Sequence, residues 1–339
     1  MSSPSRVTKA PQMRAQLLTA TGSPENFTLA KIDRPEPGPG TVLVRLAATS
    51  INQIDVKIRT GLPIGPVLPA ILGADIAGSV EAVGPGVTDF KAGDEVYGCA
   101  GGVRGLGGTL AEYIVADARL LAPKPRSLSM RETAALPLVS ITAWEAIERT
   151  GLAANEQVLI HGGIGGVGHI AIQLAKARGA RIATTVPNAE AADLARSLGA
   201  DETIIFTEEG VQAYVERLTA GLGFDVVIDT VGNANLDKSL AAASLNGRIA
   251  ATAARSTHDL SPMHSKGLSL HVIFMLIPML HGIGRERHGR ILRELAALVD
   301  RGEVRPLIDP QLFTLDTAAD AHRRLESGRA VGKVIVDII

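Results

Sequence analysis

The run Val158-Leu159-Ile160-His161-Gly162-Gly163-Ile164-Gly165-Gly166-Val167-Gly168 is the segment most able to do chemistry. Gly163, Gly165 and Gly168 satisfy G-x-G-x-x-G, after an apolar strand pattern and at the start of a helical one. Bare backbone there can approach a pyrophosphate. The helix start adds unpaired N–H groups and a positive dipole end. The expected ligand is a dinucleotide, cradled by Gly163, Ile164, Gly165, Gly166 and Val167. The alternative is a tight strand-to-helix turn with no ligand, and the strand–helix alternation on both sides weighs against it. An NAD site places a carboxylate on the ribose about 20 residues on. Here the second strand ends Ala183-Thr184-Thr185-Val186-Pro187-Asn188, with no acid before Glu190. Nothing there repels a 2′-phosphate, and no Arg or Lys attracts one. NADP(H) is the expected coenzyme, with Thr185 among its candidate contacts.

Other reactive side chains narrow the chemistry. Cys99 is the only cysteine of 339 residues, so neither an internal disulfide nor a cysteine-rich zinc site can form within the chain. That agrees with a reducing cytoplasm. The spacing of His264, His271, His281 and His288 fits no compact metal motif, so no metal is expected. Lys plus Arg number 34 and Asp plus Glu 35, a formal charge of −1. Nucleic-acid coats and polybasic membrane anchors need excess positive charge, so neither partner is expected.

These groups need a scaffold. The length favours two domains. Hydrophobic residues make up 46% but aromatics only 3%, so Ala, Val, Leu and Ile must fill the core. Polar residues 1 to 12 read as a flexible leader without the apolar region of a secretory signal. Val42–Leu46, Gly78–Val83 and Thr109–Val115 read as strands between Pro- and Gly-rich turns, which suits a small β-barrel. From Pro137, strand and helix alternate: helix Leu138–Glu148, strand Gln157–Ile160, helix Gly168–Arg178, strand Arg181–Val186 and helix Ala189–Leu198. Strand Thr203–Phe206, helix Gly210–Thr219, strand Asp225–Asp229, helix Leu236–Leu245 and strand Arg248–Thr252 follow. That order predicts a parallel sheet covered on both faces. Leu268–Leu280 reads as a buried strand or an apolar interface, too short to span a membrane. Glu286–Asp300 is a helix, and Gly332–Val336 a last strand expected to rejoin the first domain.

The chain resembles the medium-chain dehydrogenase/reductase superfamily, and within it the zinc-free quinone oxidoreductase branch. The resemblance runs from about Leu43 to the end. It rests on SINQIDVKIRTG at 50–61, LGADIAGSVEAVGPGVTDFKAGDEVYG at 72–98, Ala135–Trp144, the glycine loop, and Asp229-Thr230-Val231-Gly232. It implies an α/β chain: a GroES-like β-barrel catalytic domain over 13–137 and 307–339, and a Rossmann-type doubly wound parallel sheet over 138–306. The active site is expected in the cleft between them. The superfamily's zinc enzymes carry a cysteine ligand where this chain has Asn52, and a His-Glu pair where it has Ala74-Asp75.

The resemblance implies hydride transfer from NADPH to a quinone or to the β-carbon of an enone, without metal. Conjugation spreads the developing charge, so hydrogen-bond donors in a dry cleft suffice. Asn52 and Lys57 are the implied catalytic residues: Asn52 donating its amide N–H to coenzyme or substrate, Lys57 bonding the nicotinamide ribose and relaying a proton. Asp55 is expected to orient this segment. Thr142 is implied near the nicotinamide, against the alternative of bonding its own helix backbone. Val231, Phe274 and Met275 match coenzyme-lining loops and equally suit a core. Arg329 is the implied 2′-phosphate contact. The resemblance also implies a homodimer, with Leu268–Leu276 as the pairing edge of the cofactor domain. A zinc-free alcohol dehydrogenase and a non-catalytic dinucleotide-binding protein are the alternative functions.

Overall fold

The computed structural model describes residues 10–339. The expected leader falls outside the described residues for 1–9, and its last residue, Gln12, already opens the strand Gln12–Leu18.

The second half of the chain builds a six-stranded sheet in which every pairing is parallel. Its strands are Gln157–His161, Arg181–Val186, Glu202–Ile205, Phe224–Asp229, Ala243–Ala251 and Ser269–Val272. Counted along the chain, they lie side by side as 3-2-1-4-5-6. This is the doubly wound arrangement, and its crossover reverses direction between the first and fourth strands. Helices on both faces explain why Val158, Leu159 and Ile160 form an unbroken apolar run, all fully buried.

The first third and the chain's end share a seven-stranded sheet. At its centre, Thr41–Ile51 pairs antiparallel with Asp75–Val83 and with Tyr113–Asp117. The final strand, Val334–Asp337, returns from the far end of the sequence to pair antiparallel with it: Val334 faces Ile51. One apolar cluster runs without a break from Val44 and Ile76 to Ile160 and Ile172, so the two sheets share a core. Two helices cement them. Pro137–Thr150 is almost wholly buried. In Glu286–Asp300, Leu292 O accepts a 2.5 Å bond from the buried Tyr97 hydroxyl. Gly289 on the same helix has no room for a side chain: a Cβ would lie 2.6 Å from Arg119 O.

Several elements depart from the expected bounds, and three of them show why. The strand read at Thr109–Val115 is Tyr113–Asp117, because the Thr109 and Leu110 amides turn aside to bond Gly73 O and Leu72 O. The helix read at Leu236–Leu245 ends at Ala242. Lys266 Nζ satisfies its last carbonyls, donating to Ala241 O at 2.7 Å and Ala243 O at 2.8 Å, and the chain is free to extend. The Leu268–Leu280 stretch is not a buried strand. Ser269–Val272 is a part-exposed edge, while Ile273, Met275, Leu276 and Met279 bury around the start of a short helix, Ile277–His281. Among the described residues, no helix is long and apolar enough to cross a membrane.

Candidate active site

The glycine loop leaves the carboxyl end of the first parallel strand, at the switch point of the sheet, where a doubly wound fold opens a crevice. Each glycine has its own reason. A Cβ on Gly163 would lie 2.2 Å from Thr184 Oγ1, and one on Gly168 would lie 2.1 Å from Gly162 O. These two let strand, loop and helix close-pack. Gly165 meets only Gly162 O, at 3.2 Å, and Gly166 only the side chains of Val139 and Lys333, so their remaining sides are open. Bare backbone at the start of the helix Gly168–Ala177 fits a pyrophosphate. Thr185 supports the loop, its hydroxyl accepting from Gly162 N at 3.0 Å and its carbonyl from Gly163 N at 3.1 Å.

A second loop faces the first. Buried Asp229 ends the fourth strand and gathers it: its carboxylate accepts from Val231 N at 2.9 Å, Gly232 N at 2.8 Å and Ser239 Oγ at 2.9 Å. Val231 is half exposed at the tip. Thr230 Oγ1 donates to His161 O at 2.6 Å, tying the two loops together. At the end of the second strand, Asn188 caps the next helix by accepting from Ala191 N at 2.9 Å.

The barrel contributes a buried polar cluster. Asn52 follows the central strand and begins the helix Gln53–Arg59; Asp55 Oδ2 accepts from its backbone N at 2.8 Å. Asp75 is fully buried. Its Oδ2 accepts from Ser50 Oγ at 2.5 Å and Asn52 Nδ2 at 2.8 Å, and its Oδ1 from Leu138 N at 2.8 Å, at the positive end of the helix Pro137–Thr150. Lys333, the residue before the last strand, completes the cluster. Its ammonium donates to Asn52 Oδ1 and to Ile51 O at 3.3 Å, and lies 3.6 Å from Asp75 Oδ2. One residue earlier, Gly332 N donates to Ile164 O at 2.9 Å. Barrel cluster and glycine loop are therefore joined by two consecutive residues of the chain's end.

Burial governs the charge states. It pushes the Asp55 carboxyl up to about 7, against the bond from Asn52 N. Desolvation lowers the Lys333 ammonium below its ordinary value, opposed by Asp75 and Asp55, and raises the Cys99 thiol far above its own. Cys99 is thus a buried neutral thiol against Met279, not a nucleophile.

The other expected contacts are not part of this cluster. Lys57 lies on the exposed side of its helix and joins no part of this cluster; two residues from buried Asp55, it faces the other way. Thr142 bonds its own helix, donating to Leu138 O at 2.8 Å. Met275 is core and Phe274 is half-buried against it. Arg329 is exposed, in a surface groove with Arg323 and Arg324. The residue that sequence reasoning missed is Lys333. Its signal was a lysine opening an otherwise apolar terminal strand.

Comparison with known proteins agrees with this architecture. A family model described as an alcohol dehydrogenase GroES-like domain matches residues 38–126, and one described as a zinc-binding dehydrogenase matches residues 198–336. A quinone oxidoreductase of Pseudomonas aeruginosa is 35% identical over 94% of this chain and 97% of its own. The chain belongs to the medium-chain dehydrogenase/reductase superfamily, in its quinone oxidoreductase branch. An NADPH-dependent alkenal/one oxidoreductase of Arabidopsis thaliana, a chloroplastic protein, is 32% identical over 96% of this chain and 79% of its own. A crystal structure of an alcohol dehydrogenase superfamily protein from Novosphingobium aromaticivorans superposes with a TM-score of 0.92 at 40% identity, covering 96% of this chain and all of that one.

A zinc ion does not fit this superfamily member. Among the described residues no three His, Cys, Asp or Glu side chains converge as a ligand set. At the polar cluster both Asp75 oxygens are taken by protein donors, and a lysine ammonium already holds the cationic place.

Proposed function

We propose that this protein is an NADPH-dependent reductase of a quinone or an α,β-unsaturated carbonyl compound that works without metal. The observation that carries the reading is the meeting of the glycine loop with the Asn52–Asp75–Lys333 cluster through Gly332 and Lys333. The 13–137 and 307–339 segments form the catalytic unit, and 138–306 the coenzyme unit.

The reduced nicotinamide, when bound, supplies a hydride to the acceptor. The protein supplies the rest. The backbone of Gly163, Ile164, Gly165, Gly166 and Val167 would cradle the pyrophosphate, with the Gly163 and Gly165 N–H groups kept on Thr185 O and Gly162 O and the remaining helix-start N–H groups left for the ligand. Val231, Phe274, Met275, Thr142 and Thr185 are the side chains that would line a bound nicotinamide half. Arg329 would pair with the 2′-phosphate, and Lys57, on the exposed face of its helix, would reach the ribose. Asn52 has one amide N–H on Asp75, and its second N–H takes no protein acceptor among the described residues. That N–H donates to the acceptor oxygen. Quinones and enones delocalise the incoming charge onto this oxygen, so a neutral donor in a poorly solvated cleft is enough. Water delivers the final proton.

The similarity to the alkenal/one and quinone oxidoreductases supports this substrate class and this coenzyme. A homodimer forms through the free edge of Ser269–Val272, which pairs on one side only. A cytoplasmic placement rests on the single unpaired cysteine. Stopped-flow oxidation of NADPH against quinones, enones and simple ketones tests the reading. Turnover of conjugated acceptors, with simple ketones inert, is expected. NADPH that binds but is oxidised by no member of the panel overturns it.

A further inference from the structure

We infer that Lys333 is a positioning residue for this reaction: its ammonium locks the amide of Asn52 in the one orientation that presents an N–H to the acceptor. The inference rests on the reductase reading and deepens it, since it assigns a specific role to one residue of the cluster that carries that reading.

The argument is one of donors and acceptors. An amide can be turned end for end with almost no change of shape, so its neighbours decide which end is oxygen. An ammonium has only donors and an ionised carboxylate only acceptors. Asn52 lies between one of each: Lys333 Nζ donates to Oδ1, and Nδ2 donates to Asp75 Oδ2 at 2.8 Å. Turning the amide over would set its oxygen against the carboxylate and its N–H against the ammonium. Both contacts would become repulsive in a site sealed from water. Asn52, Asp75 and Lys333 are all at most 5% exposed, so solvent does not soften the conflict.

The lysine also has the right mechanical connections. Its aliphatic stem runs beside the glycine loop, where a Cβ on Gly166 would lie 3.4 Å from Lys333 Cδ. Its backbone is anchored on Leu307 O at 2.9 Å. The ammonium is therefore held by the barrel's own last segment, with its stem lying against the glycine loop. The titratable groups around it are Asp75 on the strand Asp75–Val83, Asp55 on the helix Gln53–Arg59, Cys99 on the strand Glu95–Cys99 and His169 on the helix Gly168–Ala177. Of these only Asp75 shares Asn52's amide, so the lock has two points.

A double-mutant cycle tests this on the full chain. Lys333→Met keeps the stem and removes the charge; Asn52→Ala removes the group it acts on. With NADPH and an enone the wild type accepts, Lys333→Met is expected to lower kcat by about 10- to 100-fold while the NADPH Kd, read by coenzyme fluorescence, stays within about threefold. In the Asn52→Ala background the same change is expected to cost less than about threefold, since the group being positioned is gone. Selective 15N-asparagine labelling gives a reading without coenzyme: the Asn52 side-chain amide protons exchange faster in Lys333→Met than in wild type. Lys333→Arg, which keeps a cation that can only donate, serves in the same cycle if the methionine variant does not fold, and its Asn52 amide stays protected. An equal loss in both backgrounds, or unchanged exchange with unchanged kcat, overturns the inference alone. A wild type that reduces no conjugated acceptor overturns the functional reading and this inference with it.

Discussion

Lys333 and Asp75 form an ion pair, 3.6 Å between Nζ and Oδ2, in which neither side chain reaches solvent. Their positions in the chain are far apart, and the pairing with Thr41–Ile51 of the strand Asp75 opens and of the strand Lys333 precedes brings them together. Breaking such a pair from one end leaves a buried charge unmatched, at a cost of about 3–5 kcal/mol. Asp75→Asn is therefore expected to lower unfolding free energy by that order, read by urea denaturation. The loss is compounded because Asp75 also caps the helix Pro137–Thr150 through Leu138 N. A change under about 1 kcal/mol would show that the pair is not a structural charge couple.

Coenzyme preference should turn on the end of the second parallel strand. Asn188 caps the following helix with its side-chain oxygen, and an aspartate does the same. Asn188→Asp thus keeps the fold and adds one negative charge beside the proposed 2′-phosphate site. The kcat/KM ratio of NADPH to NADH is expected to fall about tenfold, equivalent to about 1.4 kcal/mol of repulsion. An unchanged ratio places the 2′-phosphate elsewhere.

Stability should depend on pH in two opposed ways. Desolvation, helped by Arg59, lowers the His322 imidazole to about 3; its ring packs against that of Phe27 at a 45° tilt, with both nitrogens unpartnered. Between pH 6.5 and about 3 the unfolded chain binds a proton that the folded chain refuses, so stability is lost as pH falls from 6.5. Burial of His161, His169 and His288, each lowered to about 4, steepens this loss. Asp55 acts in the other direction. Its carboxyl is raised from 3.8 to about 7, so between these values the folded chain keeps a proton the unfolded chain has released, and stability falls as pH rises. His322→Leu is expected to shrink the loss of Tm between pH 6.5 and 4. Asp55→Asn is expected to raise Tm at pH 7.5 relative to wild type. Parallel Tm–pH curves for wild type and both variants would refute the assignment of these buried groups.

Much of this protein follows from local pattern. The glycine loop, the parallel strands and the helix Ala189–Leu198 with its Gly199 stop are written in runs of a few residues: apolar periodicity, bare backbone where chains touch, a left-handed cap. Resemblance to the superfamily's zinc enzymes also marked Asn52 and Ala74 as standing where those enzymes carry cysteine and histidine ligands. Edges of elements were less plain. The helix ending at Ala242 stops where Lys266 reaches its carbonyls, a contact from another segment.

The lysines show the limit. Lys57 shares a short helix with Asp55 and was implied at the site by resemblance, yet a two-residue step on a helix turns a side chain most of the way to the opposite face, toward solvent. Lys333 lies 281 positions from Asn52, and only the antiparallel return of the last strand brings its ammonium to that amide. Composition and spacing determined the class of fold and the dinucleotide loop, because short-range sterics and periodicity carry them. Tertiary structure alone decided which charges meet in the sealed cleft, because a buried ion pair is selected by desolvation and strand register, and neither leaves a mark in neighbouring residues.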